Sequence, residues 1–455
     1  MPAARFSGSG APVGGKLPAG TRPPGNLEST ELAETVREKE NPRTKGEGIP
    51  ILRRLLAYGE KIFGLQKQWG LIRDARPQGQ IDTPIFPTSF FLMFLCRLPS
   101  FNELEAHRGR PIWKRWCGQR LPCADECSYV AERLNLEDLR RLVFSFYSKL
   151  ARNKALKSPG GLRLAIIDGH EIGCSYSRCC AKCLQRRLLV GGKERIQYYH
   201  RLVALELIGG KLRLMVDCEL VAPGEDEVAA ALRLLGRVLQ DHPRCFDVLS
   251  ADAIYLRASV LGLLDAHGKY LVATLKENNP DLLRDARGLC GSQTPVVREL
   301  AKGHLERWDI EGFRTDWYQK PLRVICSLET TEVRRRIAHK WVEEKPVVDW
   351  WWATTLPKAL APTERVASQY GHGRWQIENE GFNELSNRWH ADHYFHHHPT
   401  AITALWLILF AAHALFHSFW TGNLKSARHK HRSLQHLARE LAADLIQDDL
   451  WPVPS

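Results

Sequence analysis

Cysteine is sparse, with 12 residues in 455, far below the density of a disulfide-stapled scaffold. No secretory leader is recognisable, so the thiols are expected in a reducing cytoplasm, free or as metal ligands. Neither a P-loop nor a Gly-x-Gly-x-x-Gly fingerprint is present, which removes two common phosphate-cradling loops. No repeat of solenoid or propeller length recurs. Long apolar runs are missing too. The most apolar segment, AITALWLILFAAHALF at 401–416, is short for a membrane span, contains His413 and runs straight into His417. It reads as a buried core helix, and no membrane partner is expected.

What is present is ordinary globular composition: 44% hydrophobic and 25% charged residues, which excludes a wholly disordered chain. Lys and Arg number 64 against 51 Asp and Glu, a formal excess of +13. That balance suits a polyanionic partner and says nothing about fold.

Residues 1–48 are rich in Gly, Pro and Ser and then in alternating charge, with almost no apolar periodicity; they read as a disordered leader. From 49 to 157 apolar residues recur three and four apart (ILRRLLAYGEKIFGL, FFLMFLCRL, AERLNLEDLRRLVFSFYSKLA), which predicts a helical N-terminal domain. KSPGG at 157–161 marks a boundary. Beyond it, LRLAIID (162–168) is a short strand ending in an acid, and HRLVALELI and KLRLMVDCELV flank Gly209-Gly210 as a hairpin. A helix (225–240), a second strand ending in an acid (FDVLSADA, 246–253), another helix and another strand follow, the alternation of an α/β domain. Residues 281–350 are β-rich in texture, the chain is helical from Pro362 to Trp420, and 421–455 is a basic tail.

Asp168 in AIIDGHE and Asp252 in LSADAIY each close an apolar strand, where a carboxylate points into the crevice in which α/β sheets bind ligands. Carboxylates placed so are natural ligands for magnesium or manganese in phosphoryl transfer. In GRWQIENEGFNEL, Arg374 and Glu378 stand four apart on one face of a predicted helix. There Glu378 completes an acidic triad, and Arg374 can hold a carboxylate or a phosphate.

Asp168, Asp252 and then RWQIE followed by GFNEL resemble, in this order, the DDE transposases of bacterial insertion sequences, in particular the branch with a Tyr-Arg-Glu-Lys type signature. The resemblance covers 160–420. It implies an α/β fold with an RNase H-like catalytic core (158–420) carrying a β-rich insertion at 281–350, preceded by a helical DNA-binding domain at 49–157. It implies Asp168, Asp252 and Glu378 as the catalytic, magnesium- or manganese-binding acids. The implied partners are double-stranded DNA (terminal inverted repeats and target) and a second copy of the chain in a synaptic homodimer, in a cytoplasmic, nucleoid-associated setting. The family Tyr would fall at Gly371, with Tyr370 beside it, and the family Lys at Leu385, with Arg388 as the nearest base. Glu380 is the rival third acid. Two other readings of the same residues are a nuclease that cuts without joining and a non-catalytic DNA-binding descendant.

GCSYSRCCAKCLQRR brings Cys174, Cys179, Cys180 and Cys183 together, with His170 upstream; Cys180-x-x-Cys183 has the spacing of a structural zinc site. Cys117, Cys123 and Cys127 form a looser group. The same loop carries Arg178, Lys182, Arg186 and Arg187, which suits a DNA-facing surface beside the first catalytic strand. In HRGRPIWKRWCGQR (107–120), Lys114 and Arg115 alternate with Trp113 and Trp116; the proline and glycines suggest a loop that holds phosphates and stacks on bases. The histidines of HADHYFHHHP are expected to cap, pack or contact DNA rather than to ligate a metal. In 281–350, Arg307, Trp308, Arg314, Trp317, Arg323, Arg334, Arg335, Arg336 and Trp341 are candidates to hold an unpaired strand, in an antiparallel subdomain flanking the acids.

Overall fold

Leu164–Ser175 (β1), Leu184–Val190 (β2), Lys193–Gly209 (β3), Leu212–Leu220 (β4), Val248–Ala251 (β5) and Tyr270–Thr274 (β6) are the strands of the α/β region in a computed structural model of the chain. The structure describes residues 50–118, 120–156, 161–337, 340–393, 395–424 and 433–446. The leader at 1–48, the boundary at 157–160 and the tail at 425–432 and 447–455 lie outside the described residues.

β1 runs antiparallel to β3, which in turn pairs with β4 through the Gly210 turn and with β2 beyond it. On its other side β1 is parallel to β5, and β5 is parallel to β6. Helix Glu227–Asp241, capped by Asp226, connects β4 to β5, and Ala258–Ala266 connects β5 to β6. The expected alternation is therefore present. One detail differs: β1 does not end at Asp168 but continues to Ser175, because β3 supplies hydrogen-bonding partners along its whole length. What ends near Asp168 is the parallel pairing, since β5 accompanies β1 only as far as Ile166.

The 281–350 stretch also differs from the sequence reading. It begins as a helix, Pro280–Ser292, with Pro at its first turn, and turns to strand only at Val296–Leu300 (β7). Gly303–Thr315 (β8), Tyr318–Thr331 (β9) and Val347–Thr354 (β12) follow, and Val333–Ile337 (β10) with Lys340–Glu344 (β11) form a separate hairpin. β12 pairs with both β9 and β6, so these strands extend the central sheet in the order β6-β12-β9-β8-β7 instead of forming a layer of their own. The reason is local. The apolar WWWAT end of β12 buries Trp352 and Ala353 against β6, and β7, exposed at every residue, takes the edge.

The amphipathic N-terminal helices form as read at Ile51–Phe63 and Leu136–Arg152, with two corrections. Ile85–Leu95 is buried on every side rather than on one stripe. AERLNLEDL breaks at Asn135, whose side chain accepts from the Asp138 N–H and restarts the chain as a new helix. These helices pack on Pro399–Gly422, the core helix expected from the sequence: it is long and apolar enough to cross a membrane, yet 89% of its apolar window is buried inside the protein. Arg140 of the N-terminal region and Arg237 of the β4–β5 helix both donate to the buried Asp217 on β4, tying helices and sheet together.

Candidate active site

Asp168 sits within β1, 8% exposed, with its Oδ1 accepting from the Gly169 N–H. Asp252 follows β5 directly, and Lys276, just past β6, donates from Nζ to its Oδ1 at 3.1 Å. The third contribution comes from a segment that is helical but irregular: π-helical turns at Val366–Gly371 and Ile377–Phe382 enclose a tight turn at His372–Arg374. Such distortions recur at functional sites because they re-aim side chains within a helix. Here they leave Arg374 and Glu378 in contact, as the four-residue spacing implied. Arg374 Nη1 donates to Asp168 Oδ2 at 2.8 Å and to Glu378 Oε1 at 2.7 Å.

Electrostatics follow from this geometry. Burial, reinforced by the neighbouring Glu378, pushes the Asp168 carboxyl up to about 8, against the pull of Arg374. Burial opposes ionisation of Glu378 too, but hydrogen bonds from Asp168 and Arg374 hold it below the usual carboxylate range. The two carboxyls titrate as a pair, in which Asp168 is the harder to ionise and Glu378 the easier. For Asp252 burial is outweighed by the Ala253 N–H and Lys276, and its carboxyl is lowered.

Three carboxylates thus share one guanidinium and one ammonium. An all-oxygen donor set with surplus negative charge fits a hard divalent cation. The three acids do not converge on a single point: among the described residues, the donor sets whose atoms all lie within 4.8 Å are Cys180, Cys183 and His200, and Glu384, His413 and His417.

Glu380, the rival acid, pairs with Arg213 on β4 instead. Gly371, where a tyrosine was expected, packs on Trp352: a Cβ there would come within 2.5 Å of the indole. The adjacent Tyr370 is buried, and its carbonyl accepts from Ser250 Oγ at 2.6 Å. The position thus holds glycine because β12 approaches too closely for any side chain.

Sequence reasoning missed a second network beside Asp168. Glu227, in the first turn of its helix, accepts from Tyr255 Oη at 2.7 Å and forms an ion pair with Arg201, whose Nε lies 2.7 Å from its Oε2. A Cβ on Gly169 would come within 2.1 Å of its Oε2. The available signal was the glycine directly after Asp168. The segment after Glu378 is fixed by Glu384, which receives His417 Nε2 at 2.9 Å and lies 3.7 Å from His413 Nε2. Burial works against that carboxylate, yet the two imidazoles hold it far below its ordinary range.

The basic candidates divide. Arg178, Lys182, Arg187, Lys114 and Arg388 are exposed, although Arg187 pairs with Glu194. Arg186 is committed to Glu171 through two hydrogen bonds at 2.7 and 2.8 Å. The 107–120 segment contains a helix, Pro111–Cys117, rather than a loop, since its proline takes the first turn. Trp113 is fully buried, with Nε1 donating to the His107 carbonyl, so it has no face for stacking. The side chains of Arg115 and Arg335 lie outside the described residues. Arg307 and Arg323 are buried in side-chain and backbone contacts, whereas Trp341 is 59% exposed with the Arg334 guanidinium 5.1 Å from its ring centre. His170 stacks on Phe382 and bonds Asp392 rather than joining the cysteines. His390 and His396 pack against the Arg97 carbonyl and Glu132.

No curated protein matches the chain. The model of the transposase DDE domain family matches residues 159–415, a span that holds all three acids, Arg374 and Glu227.

Proposed function

This chain belongs to the transposase DDE domain family, and from that premise we propose that it nicks DNA at the ends of an insertion element and joins the freed 3′-hydroxyls to target DNA, using Asp168, Asp252 and Glu378. The observation that carries this reading is the meeting of Asp168 and Glu378 on Arg374, across 206 residues, beside the strand that delivers Asp252. A binding protein has no use for two buried or half-buried acids gathered on one arginine in this way. We also read the core as RNase H-like, on the strength of its sheet: three antiparallel strands, β4-β3-β1, continued by the parallel pair β5 and β6.

Magnesium or manganese ions held by Asp168, Asp252 and Glu378 would activate the attacking oxygen and stabilise the leaving one. The chain's own groups prepare the site. Arg374 keeps two acids from repelling each other, and Lys276 orients Asp252. Exposed Arg178, Lys182, Arg187, Lys114 and Arg388 supply phosphate contacts, with Arg115 proposed beside them. Two element ends held in one synapse call for at least a dimer.

The test is strand nicking and joining on terminal-repeat DNA. Asp168→Asn and Asp252→Asn are expected to abolish both while gel-shift binding survives. Full nicking in either variant sinks the assignment of the acids. With a pre-cut end, shortened strands without joined product would show a nuclease instead.

A further inference from the structure

The cysteine-rich loop between β1 and β2 stands apart from the acids. Cys180 Sγ and Cys183 Sγ lie 3.6 Å from each other, and each lies 3.4 Å from His200 Nε2. A tetrahedral zinc ion, bound at about 2.3 Å to sulfur and about 2.05 Å to nitrogen, requires S···S edges of about 3.8 Å and S···N edges of about 3.6 Å. All three observed edges match within a few tenths of an ångström. We propose that Cys180, Cys183 and His200 bind a structural zinc ion.

The surroundings agree with the edges. The backbone N–H groups of Cys180 and Lys182 point at Cys183 Sγ (3.2 Å) and Cys180 Sγ (3.4 Å), donors that favour thiolate over thiol. Cys183 and His200 are buried, so the metal would be shielded on its inner side. Two soft sulfurs and an imidazole select zinc over the hard cations suited to the acidic site.

The ligand set differs from the one its spacing suggested. Cys174 is exposed and accepts from Gln197 Nε2, Cys179 is exposed, and the third ligand comes from β3, 17 residues beyond Cys183.

The placement gives the ion a task. His200 faces Ile172 across the β1–β3 pairing, four residues beyond Asp168 and so roughly 13 Å along the strand. Zinc there staples the loop onto β3 and fixes the root of the β2–β3 hairpin, which carries Arg186 and Arg187.

The full-length chain, purified reduced and without chelator, is expected to retain about one zinc per chain by elemental analysis. Cobalt substitution should give the visible bands of a tetrahedral thiolate site. Cys180→Ser with Cys183→Ser should lose both signals, whereas Cys174→Ser with Cys179→Ser, and Asp168→Asn, should keep them. Stripping the metal should speed tryptic cleavage at Lys182, Arg186 and Arg187 several-fold. A folded wild type that holds zinc no better than the Cys180/Cys183 variant would overturn the proposal. So would equal loss of zinc in the Cys174/Cys179 variant. Because Asp168→Asn leaves these ligands intact, failure of the zinc site and failure of the catalytic reading are separately visible.

Discussion

A single nitrogen of Arg374 serves both Asp168 and Glu378, at 2.8 and 2.7 Å. The guanidinium is almost fully buried, so its attraction for the two acids is little screened by water. It joins the central strand to a helix more than two hundred residues later, and of two acids that lie two positions apart it contacts Glu378, while Glu380 pairs with Arg213.

Glu378→Gln is therefore expected to lower metal-dependent nicking by roughly 100-fold or more. Glu380→Gln, which loses only its half-exposed pairing with Arg213, should stay within a few-fold of wild type. Quantified nicking under single-turnover conditions separates them; the reverse order would move the third acid to Glu380.

Gly169→Ala tests the wall behind Asp168. The new methyl meets Glu227, which Tyr255 and Arg201 pin in place, so overpacking should cost about 1–3 kcal/mol. Glu227→Ala alone also destabilises, because it strands the arginine and the tyrosine hydroxyl. Combining the two removes the clash, and the double variant should be more stable than the sum of the single losses. Strictly additive losses in urea denaturation would show that the two positions do not meet.

Glu206 on β3 is 1% exposed, and burial pushes its carboxyl up to about 7 despite Arg213. Its folded value lies above its unfolded value near 4.3. The folded state thus holds the extra proton between those limits, and stability falls as pH rises through that window, by up to about 4 kcal/mol. Glu206→Gln should raise the melting temperature at pH 8 relative to wild type and bring little gain at pH 5. An equal shift at both pH values would mean that Glu206 is ionised throughout.

These features differ in how far the sequence discloses them. The hairpin around Gly210, the capped helix at 227–241 and the burial of 399–422 follow from periodicity, turn residues and composition, all of which act locally. The pairing of Arg374 with Glu378 was legible because a four-residue spacing survives even in a distorted helix. The reach of β1 past Asp168 was not, since it depends on a partner strand some thirty residues away. Nor could spacing reveal His200 beside Cys180 and Cys183, or β12 inserting between β6 and β9. Long-range pairing decided those, and Trp113 and Arg323, read as DNA contacts from residue type, were claimed by the core.

Arg323 gives the last prediction. It is 3% exposed on β9 and forks onto Asp309 of β8 at 2.7 and 2.8 Å, while its Nη1 also donates to the carbonyls of Leu356 and Ala361. Thr363 bonds the same aspartate, so the pair anchors the turn between β12 and the segment that carries Arg374. Asp309→Ala leaves a buried guanidinium without its partner and should cost about 3–5 kcal/mol. Replacing both, Asp309→Ala with Arg323→Met, removes the unpaired charge and should recover a good part of that loss. If the anchor sets the position of Arg374, nicking by Asp309→Ala at a temperature where it remains folded should fall even with DNA binding unchanged. Wild-type nicking in that folded variant would confine the pair to holding the sheet together.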